Sequence, residues 1–283
     1  MSHPQYIGRF APSPSGPLHF GSLVAALASF LDAKHHAGKW LVRIEDIDPP
    51  REEKGADKLI LKTLEAFNLY WDDSVLYQSE RHDAYREQLN SWLSSGDAFA
   101  CECTRKQIKQ QGGHYYGFCR DKGLPKEGHA IRFKHQDATL SFNDCYLGHY
   151  QADINQAKED FLIHRRDGLF AYQLAVVMDD SFQNISHVIR GADLLPTTVW
   201  QIDLFKALKA KLPTFGHVPL MMAADGRKLS KQNHAPALDI SQSSALLFDA
   251  LIALKQQPPK ALIHENNQTI LDWAIINWQN PYK

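Results

Sequence analysis

The 283-residue sequence has no apolar run approaching the roughly 20 residues that span a bilayer. Its opening, MSHPQYIGRF, has neither the basic nor the apolar region of a secretory signal, so the cytoplasm is the expected compartment and no membrane partner is expected. Charge of one sign is missing as well. Lys and Arg number 31 against 32 Asp and Glu, which excludes a globally basic nucleic-acid binder but leaves room for a local basic face. There is no internal repeat, low-complexity tract or heptad pattern, so solenoids and coiled coils are out. Neither G-x-x-x-x-G-K-[ST] nor G-x-G-x-x-G occurs, and any nucleotide must be held by other means. Cysteine is scarce, with four in all, yet Cys101, Cys103 and Cys119 are crowded together. Without a secretory signal such crowding favours a metal over disulfides. Cys145 stands apart and reads as a small buried residue.

What is present is an ordinary globular balance, 44% hydrophobic and 22% charged, in a chain long enough for one large domain or two smaller ones. YIGRFAP reads as a short strand running into a Pro/Ser/Gly loop. From Phe20 the spacing of Leu23, Leu27, Phe30 and Leu31 predicts a helix, with Gly38 as its stop. KWLVRIEDID follows as a second strand. Strand, helix and strand in about forty residues make a βαβ unit and a parallel sheet. Ligands of such sheets bind beyond the carboxyl ends of the strands, so the loop APSPSGPLHFG and the acidic end Glu45, Asp46 and Asp48 should line a site. Further on, helices are predicted around 52–68 and 81–96, short strands within 130–165, and a helix over 196–210. LFAYQLAVVMDD and ISHVIRGADLL read as two buried strands. Two short helices separated by QQPPK close the chain, after a boundary near 235–240.

Two stretches offer anion chemistry. His19 and Gly21 sit at a helix N-terminus, where free N–H groups and the dipole favour phosphate. Alone, the stretch fits equally a turn whose histidine caps or packs. In DGRKLSKQN, Lys228 and Lys231 flank Ser230, so two cations and a hydroxyl can close over a polyphosphate. Alone, it fits a solvated basic loop.

Together, HFGS and KLSKQ resemble the HIGH and KMSKS signatures of class I aminoacyl-tRNA synthetases, in the right order and with the first strand in place. Phe20, Ser22, Leu229 and Gln232 depart from those signatures. GRFAPSPSGPLHFGS, RIEDIDPPR, YQSER and HVIRGADLL narrow the resemblance to the glutamyl/glutaminyl subclass, over residues 7 to about 233. It implies an α/β fold: a class I synthetase Rossmann-like parallel sheet, an inserted zinc-containing acceptor-binding-like subdomain and a short helical C-terminal region. The implied division is 1–97 and 186–238 for the two halves of the catalytic domain, 98–185 for the insert, and 239–283 for the remnant of a stem-contact region. It implies ATP contacts from His19, Gly21, Ser22, Lys228, Ser230 and Lys231, of which His19, Gly21, Lys228 and Lys231 serve catalysis. It implies a glutamate site formed by Arg9, Phe10, Ala11, Pro12, Ser13, Glu45, Tyr172 and Arg190. Two guanidinium forks suit a γ-carboxylate better than an amide. Glu45 would take the ammonium group.

Cys101, Cys103 and Cys119 are three soft ligands, and on chemistry alone His114 is the obvious fourth. The resemblance instead implies Tyr115 as the fourth ligand of one structural Zn²⁺, in a subdomain that meets tRNA. The short stretch after KLSKQN is too small for the anticodon-reading module of a full glutamyl-tRNA synthetase. The chain thus resembles the short paralogues of that enzyme. These activate L-glutamate with ATP without needing tRNA, then pass it to queuosine in the anticodon of tRNA(Asp). The alternative is a truncated glutamyl-tRNA synthetase charging a tRNA 3′ end. Mg²⁺ would accompany ATP without a dedicated protein cage, Arg105, Lys106 and Lys109 could meet tRNA phosphates, and a monomer is expected.

Overall fold

The computed structural model describes residues 5–221 and 236–282. The predicted βαβ unit forms from β1 (Ile7–Phe10), α1 (Phe20–His35) and β2 (Lys39–Ile44), with β1 and β2 parallel. After α2 (Ala56–Ala66), the short β3 (Leu76–Tyr77) adds parallel to β2, and α3 (His82–Ser95) follows. The chain then leaves the parallel sheet. β4 (Ala98–Cys101), α4 (Arg105–Gln110) and β5 (Ala130–Phe133) precede a hairpin of β6 (Ser141–Asp144) and β7 (Gly148–Gln151), then α5 (Ile154–Ala157) and β8 (Leu162–His164). Strands β4, β5 and β8 make a separate antiparallel sheet. The chain returns through α6 (Tyr172–Phe182), β9 (His187–Gly191), α7 (Thr198–Ala207) and β10 (Thr214–Val218), where β9 and β10 are parallel. The two parallel groups abut along β1 and β9, where the Ser186 N–H donates to the Ile7 carbonyl at 2.9 Å. Helices α8 (Ser243–Ala253) and α9 (Asn267–Asn277) pack on α1.

Helix α1 is buried almost throughout from Leu23 to Ala33 because it lies between the sheet and the two C-terminal helices. Its buried Asp32 accepts hydrogen bonds from the hydroxyls of Tyr6 and Tyr146 and, at 2.9 Å, from Trp278 Nε1. One carboxylate thereby fixes the start of the chain, the hairpin turn and the C-terminal segment to the first helix, each donor satisfying part of a charge that burial would otherwise penalise.

Two expectations fail. LFAYQLAVVMDD is not a strand: from Tyr172 it is α6, buried on nearly every side, with Leu174 to Val177 and even Asp179 and Asp180 inside. An apolar run buried all round has no contrast of faces, so its period cannot separate helix from strand. Cys145 is exposed, not buried, because it stands at the β6–β7 turn; its N–H donates to the Phe215 carbonyl and its sulfur lies against Gly216.

Candidate active site and thiol cluster

The carboxyl ends of β1 and β2 deliver the first half of the site. Arg9, on β1, is buried and forked onto Asp180 of α6, with Nε 3.1 Å from Oδ1 and Nη2 3.3 Å from Oδ2. Arg43, on β2, donates to the same carboxylate at 2.7 Å and to Gln183 at 2.8 Å. Asp180 is thus the shared counter-ion of two guanidinium groups; burial pushes its pKa up, but the two cations hold it below the usual carboxylate range. Glu45, just past β2, lies 3.7 Å from Arg43, and its Oε1 accepts no hydrogen bond among the described residues. Burial raises its pKa to about 7. The Glu45 N–H donates to the Pro12 carbonyl at 3.0 Å, which seats the loop after Phe10 against the end of β2. Ser13, Glu45 and Tyr172 line a cavity of about 480 Å³.

The second half comes from β9 and β10, whose register sets Arg190 opposite His217. Arg190 is buried and donates from Nε to His217 Nε2 at 3.0 Å and from Nη2 to Thr198 Oγ1 at 2.8 Å. Its Nη1 has no acceptor among the described residues. Burial lowers its pKa, and Tyr172, Arg9 and Glu45 lie close enough to act on its charge.

The helix N-terminus forms as expected. His19 caps α1, its Nδ1 accepting from the Ser22 N–H at 3.2 Å, so the ring hydrogen sits on Nε2. His19, Gly21, Ser22, Asp193 and Met221 border a second cavity of about 390 Å³, which shares Ser13 and Ser15 with the first. Lys228, Ser230 and Lys231 lie outside the described residues. Met221 borders this cavity, and Ala237 pairs with the backbone of His19, which also borders it.

In the inserted region the sulfurs of Cys101, Cys103 and Cys119 lie within 4.8 Å of one another. Cys103 and Cys119 are 3.6 Å apart, matching the edge of about 3.8 Å that a tetrahedron with Zn–S bonds near 2.3 Å requires. The fully buried Tyr115 turns its hydroxyl to this group: it accepts from the Cys119 N–H at 2.8 Å and interacts with the Cys101 and Cys119 thiols. His114 instead faces Glu159 at 3.4 Å. Arg132 donates to Cys101 Sγ at 3.3 Å. Arg105, Lys106 and Lys109 are exposed on α4.

Sequence reasoning missed Arg43, Asp180, Thr198, His217 and Asp144. Arg43 alone had a local signal, standing two residues before Glu45 on a strand already assigned to the site.

Residues 7–250 match the family model for tRNA synthetases class I (E and Q), catalytic domain. The chain belongs to this class, and its fold agrees: a glutamate-tRNA synthetase from Elizabethkingia anophelis superposes with a TM-score of 0.79 at 25% identity, covering 99% of this chain and 66% of that one. A glutamyl-Q tRNA(Asp) synthetase from Photobacterium profundum is 52% identical over 273 residues, 96% of this chain and 88% of the relative. One from Serratia proteamaculans is 51% identical over 279 residues, 99% of this chain and 92% of the relative. Within the class, the chain is a member of the glutamyl-Q tRNA(Asp) synthetase family. Among the described residues no helix is long and apolar enough to cross a membrane.

Proposed function

We propose that this chain activates L-glutamate with ATP and transfers it to queuosine in the anticodon of tRNA(Asp). The observation that carries the amino-acid choice is a pair of buried atoms that make no hydrogen bond among the described residues, Arg190 Nη1 and Glu45 Oε1. One cation and one anion with open atoms, close enough to act on each other's charge, suit a zwitterion with an extra carboxylate. Glu45 takes the ammonium, Arg190 takes the γ-carboxylate, and Arg9, Tyr172 and the loop Phe10 to Ser13 enclose the rest. This leaves the α-carboxylate to attack the α-phosphate of ATP, forming glutamyl-adenylate and releasing pyrophosphate. His19 Nε2–H and the first turn of α1, with Gly21 leaving room for the nucleotide, bind phosphate in the second cavity. Lys228, Ser230 and Lys231 supply two cations and a hydroxyl for the same polyphosphate, balancing charge that grows in the transition state. Mg²⁺ accompanying ATP would neutralise its phosphates. A hydroxyl of the acceptor nucleoside then attacks the mixed anhydride and displaces AMP.

Cys101, Cys103, Cys119 and Tyr115 are the ligands that would hold one structural Zn²⁺, which would tie the two ends of the segment 101–119 together. The exposed Arg105, Lys106 and Lys109 nearby suit RNA phosphates. The segments 98–185 and 239–283 serve as insert and stem-contact remnant around a catalytic domain made of 1–97 and 186–238. ATP and tRNA are cytoplasmic substrates, which supports a cytoplasmic site of action, and the enzyme works as a monomer.

The test is ATP–pyrophosphate exchange with glutamate in the absence of tRNA, followed by transfer of labelled glutamate to tRNA(Asp) with and without queuosine. Exchange without tRNA, and label only on the queuosine-containing RNA, is the expected result. Equal charging of unmodified tRNA(Glu) would instead establish a truncated glutamyl-tRNA synthetase.

A further inference from the structure

The buried pair Asp144 and His217 has no part in the chemistry above, yet it ends on Arg190. Asp144 closes β6 in the inserted region, and His217 lies in β10 of the parallel sheet. Neither side chain is exposed to solvent. Asp144 Oδ1 accepts the backbone N–H groups of Tyr146 and Leu147, each at 2.9 Å, and of His217 at 3.3 Å. Its other oxygen, Oδ2, lies 2.6 Å from His217 Nδ1. Beyond the ring, His217 Nε2 accepts the Nε–H of Arg190 at 3.0 Å, and it also lies 3.2 Å from the Thr198 hydroxyl, whose own hydrogen goes to the Leu194 carbonyl at 2.9 Å.

These contacts allow a single protonation state. Arg190 Nε always carries a hydrogen, so His217 Nε2 must present a lone pair. The ring hydrogen therefore sits on Nδ1 and is donated to Asp144. A doubly protonated ring would turn an N–H against the guanidinium and set two cations together in a buried site. Burial, aided by the charge of Arg190, accordingly drives the His217 pKa down to about 4 despite the neighbouring carboxylate.

We propose that Asp144 is a positioning residue for glutamate selection: it fixes the tautomer of His217, and His217 aims Arg190 so that its open Nη1 meets the substrate carboxylate. The proposal rests on the assignment of Arg190 as the carboxylate reader. Asp144 comes from the inserted region, so the amino-acid pocket is completed by a residue far from every recognised motif. A neutral acceptor also suits the task better than a second carboxylate would. It orients the guanidinium without cancelling its charge, which stays available to an anion.

The decisive variant is Asp144→Asn. Three backbone donors hold the amide oxygen at the Oδ1 position, which leaves the NH₂ facing His217 Nδ1. The ring must then accept there and carry its hydrogen on Nε2, against Arg190 Nε–H. In glutamate-dependent exchange the KM for glutamate should rise on the order of ten- to a hundredfold, with the KM for ATP within about twofold. In His217→Gln the side-chain oxygen can accept from Arg190 Nε–H, and an amide has no tautomer to invert. Asp144→Asn added to that background should therefore cost less than about threefold, a non-additivity that a purely structural Asp144 would not show. Nitrogen-15 NMR of the imidazole gives a reading independent of activity: Nδ1–H in the parent protein and Nε2–H in Asp144→Asn. An Nε2–H ring in the parent, or an equal Asp144→Asn penalty in both backgrounds, overturns the proposal. Arg190→Gln separates the two levels: if it leaves the glutamate KM unchanged, the assignment of Arg190 itself is wrong.

Discussion

Arg9 and Arg190 are both buried beside the same pocket, and they are held in opposite ways. Arg9 lies in a fork on Asp180, which also takes Arg43, so this side of the pocket is a network of closely matched charge. Arg190 rests on a neutral imidazole and a hydroxyl, and its Nη1 meets no acceptor among the described residues. A guanidinium already paired with a carboxylate offers little to an incoming anion, whereas one oriented by neutral acceptors keeps its attraction. The difference divides the labour. The Arg9 side builds the floor, shaping the pocket and setting Glu45 in place, and the Arg190 side reads the substrate.

The contrast can be broken from either side. The largest effect should come from Asp180→Asn, which leaves two buried guanidinium groups short of their shared counter-ion; it should cost about 3–5 kcal/mol of folding stability. Urea unfolding measures this, and a loss under about 1 kcal/mol would show that the floor does not depend on charge pairing. Arg190→Lys keeps the charge but loses the fork that His217 and Thr198 grip. We expect kcat/KM for glutamate to fall about a hundredfold, or about 2.7 kcal/mol, with less damage to stability than in Asp180→Asn. A fall confined to the ATP KM would contradict the assignment.

The smallest effect is on pH. Glu45 must be ionised to hold an ammonium group, and burial raises its pKa to about 7. Protonation therefore removes the site as pH falls through that value, and kcat/KM for glutamate should drop about tenfold for each unit below it. The stability contribution has the opposite sign. A carboxyl with a raised pKa in the folded state favours folding at low pH, and that favour fades as pH rises toward 7. A flat profile from pH 8 to pH 5.5 would remove Glu45 from ammonium binding.

Much of this was legible in the chain, for local reasons. The βαβ unit follows from apolar spacing, the cap at His19 from its place ahead of a helical run, and the thiol cluster from the crowding of Cys101, Cys103 and Cys119. Arg9, Glu45 and Arg190 stand out because each falls inside a recognisable word. Their partners do not. Asp180 is 171 residues from Arg9, and Asp144 is 73 from His217. Nothing in the sequence near Asp144 distinguishes it from any other turn aspartate. Helix α6 was misread because burial on nearly every side erases the helical period, and that same burial is what lets Asp180 reach the two arginines.

The division of labour between the two arginines is tested most directly by a crystal structure with L-glutamate bound. We predict the side-chain carboxylate within hydrogen-bond distance of Arg190 Nη1, the ammonium on Glu45, and the contacts from Arg190 to His217 and from Arg9 to Asp180 unchanged. A carboxylate seated on Arg9 with Asp180 displaced, and Arg190 uninvolved, would contradict it.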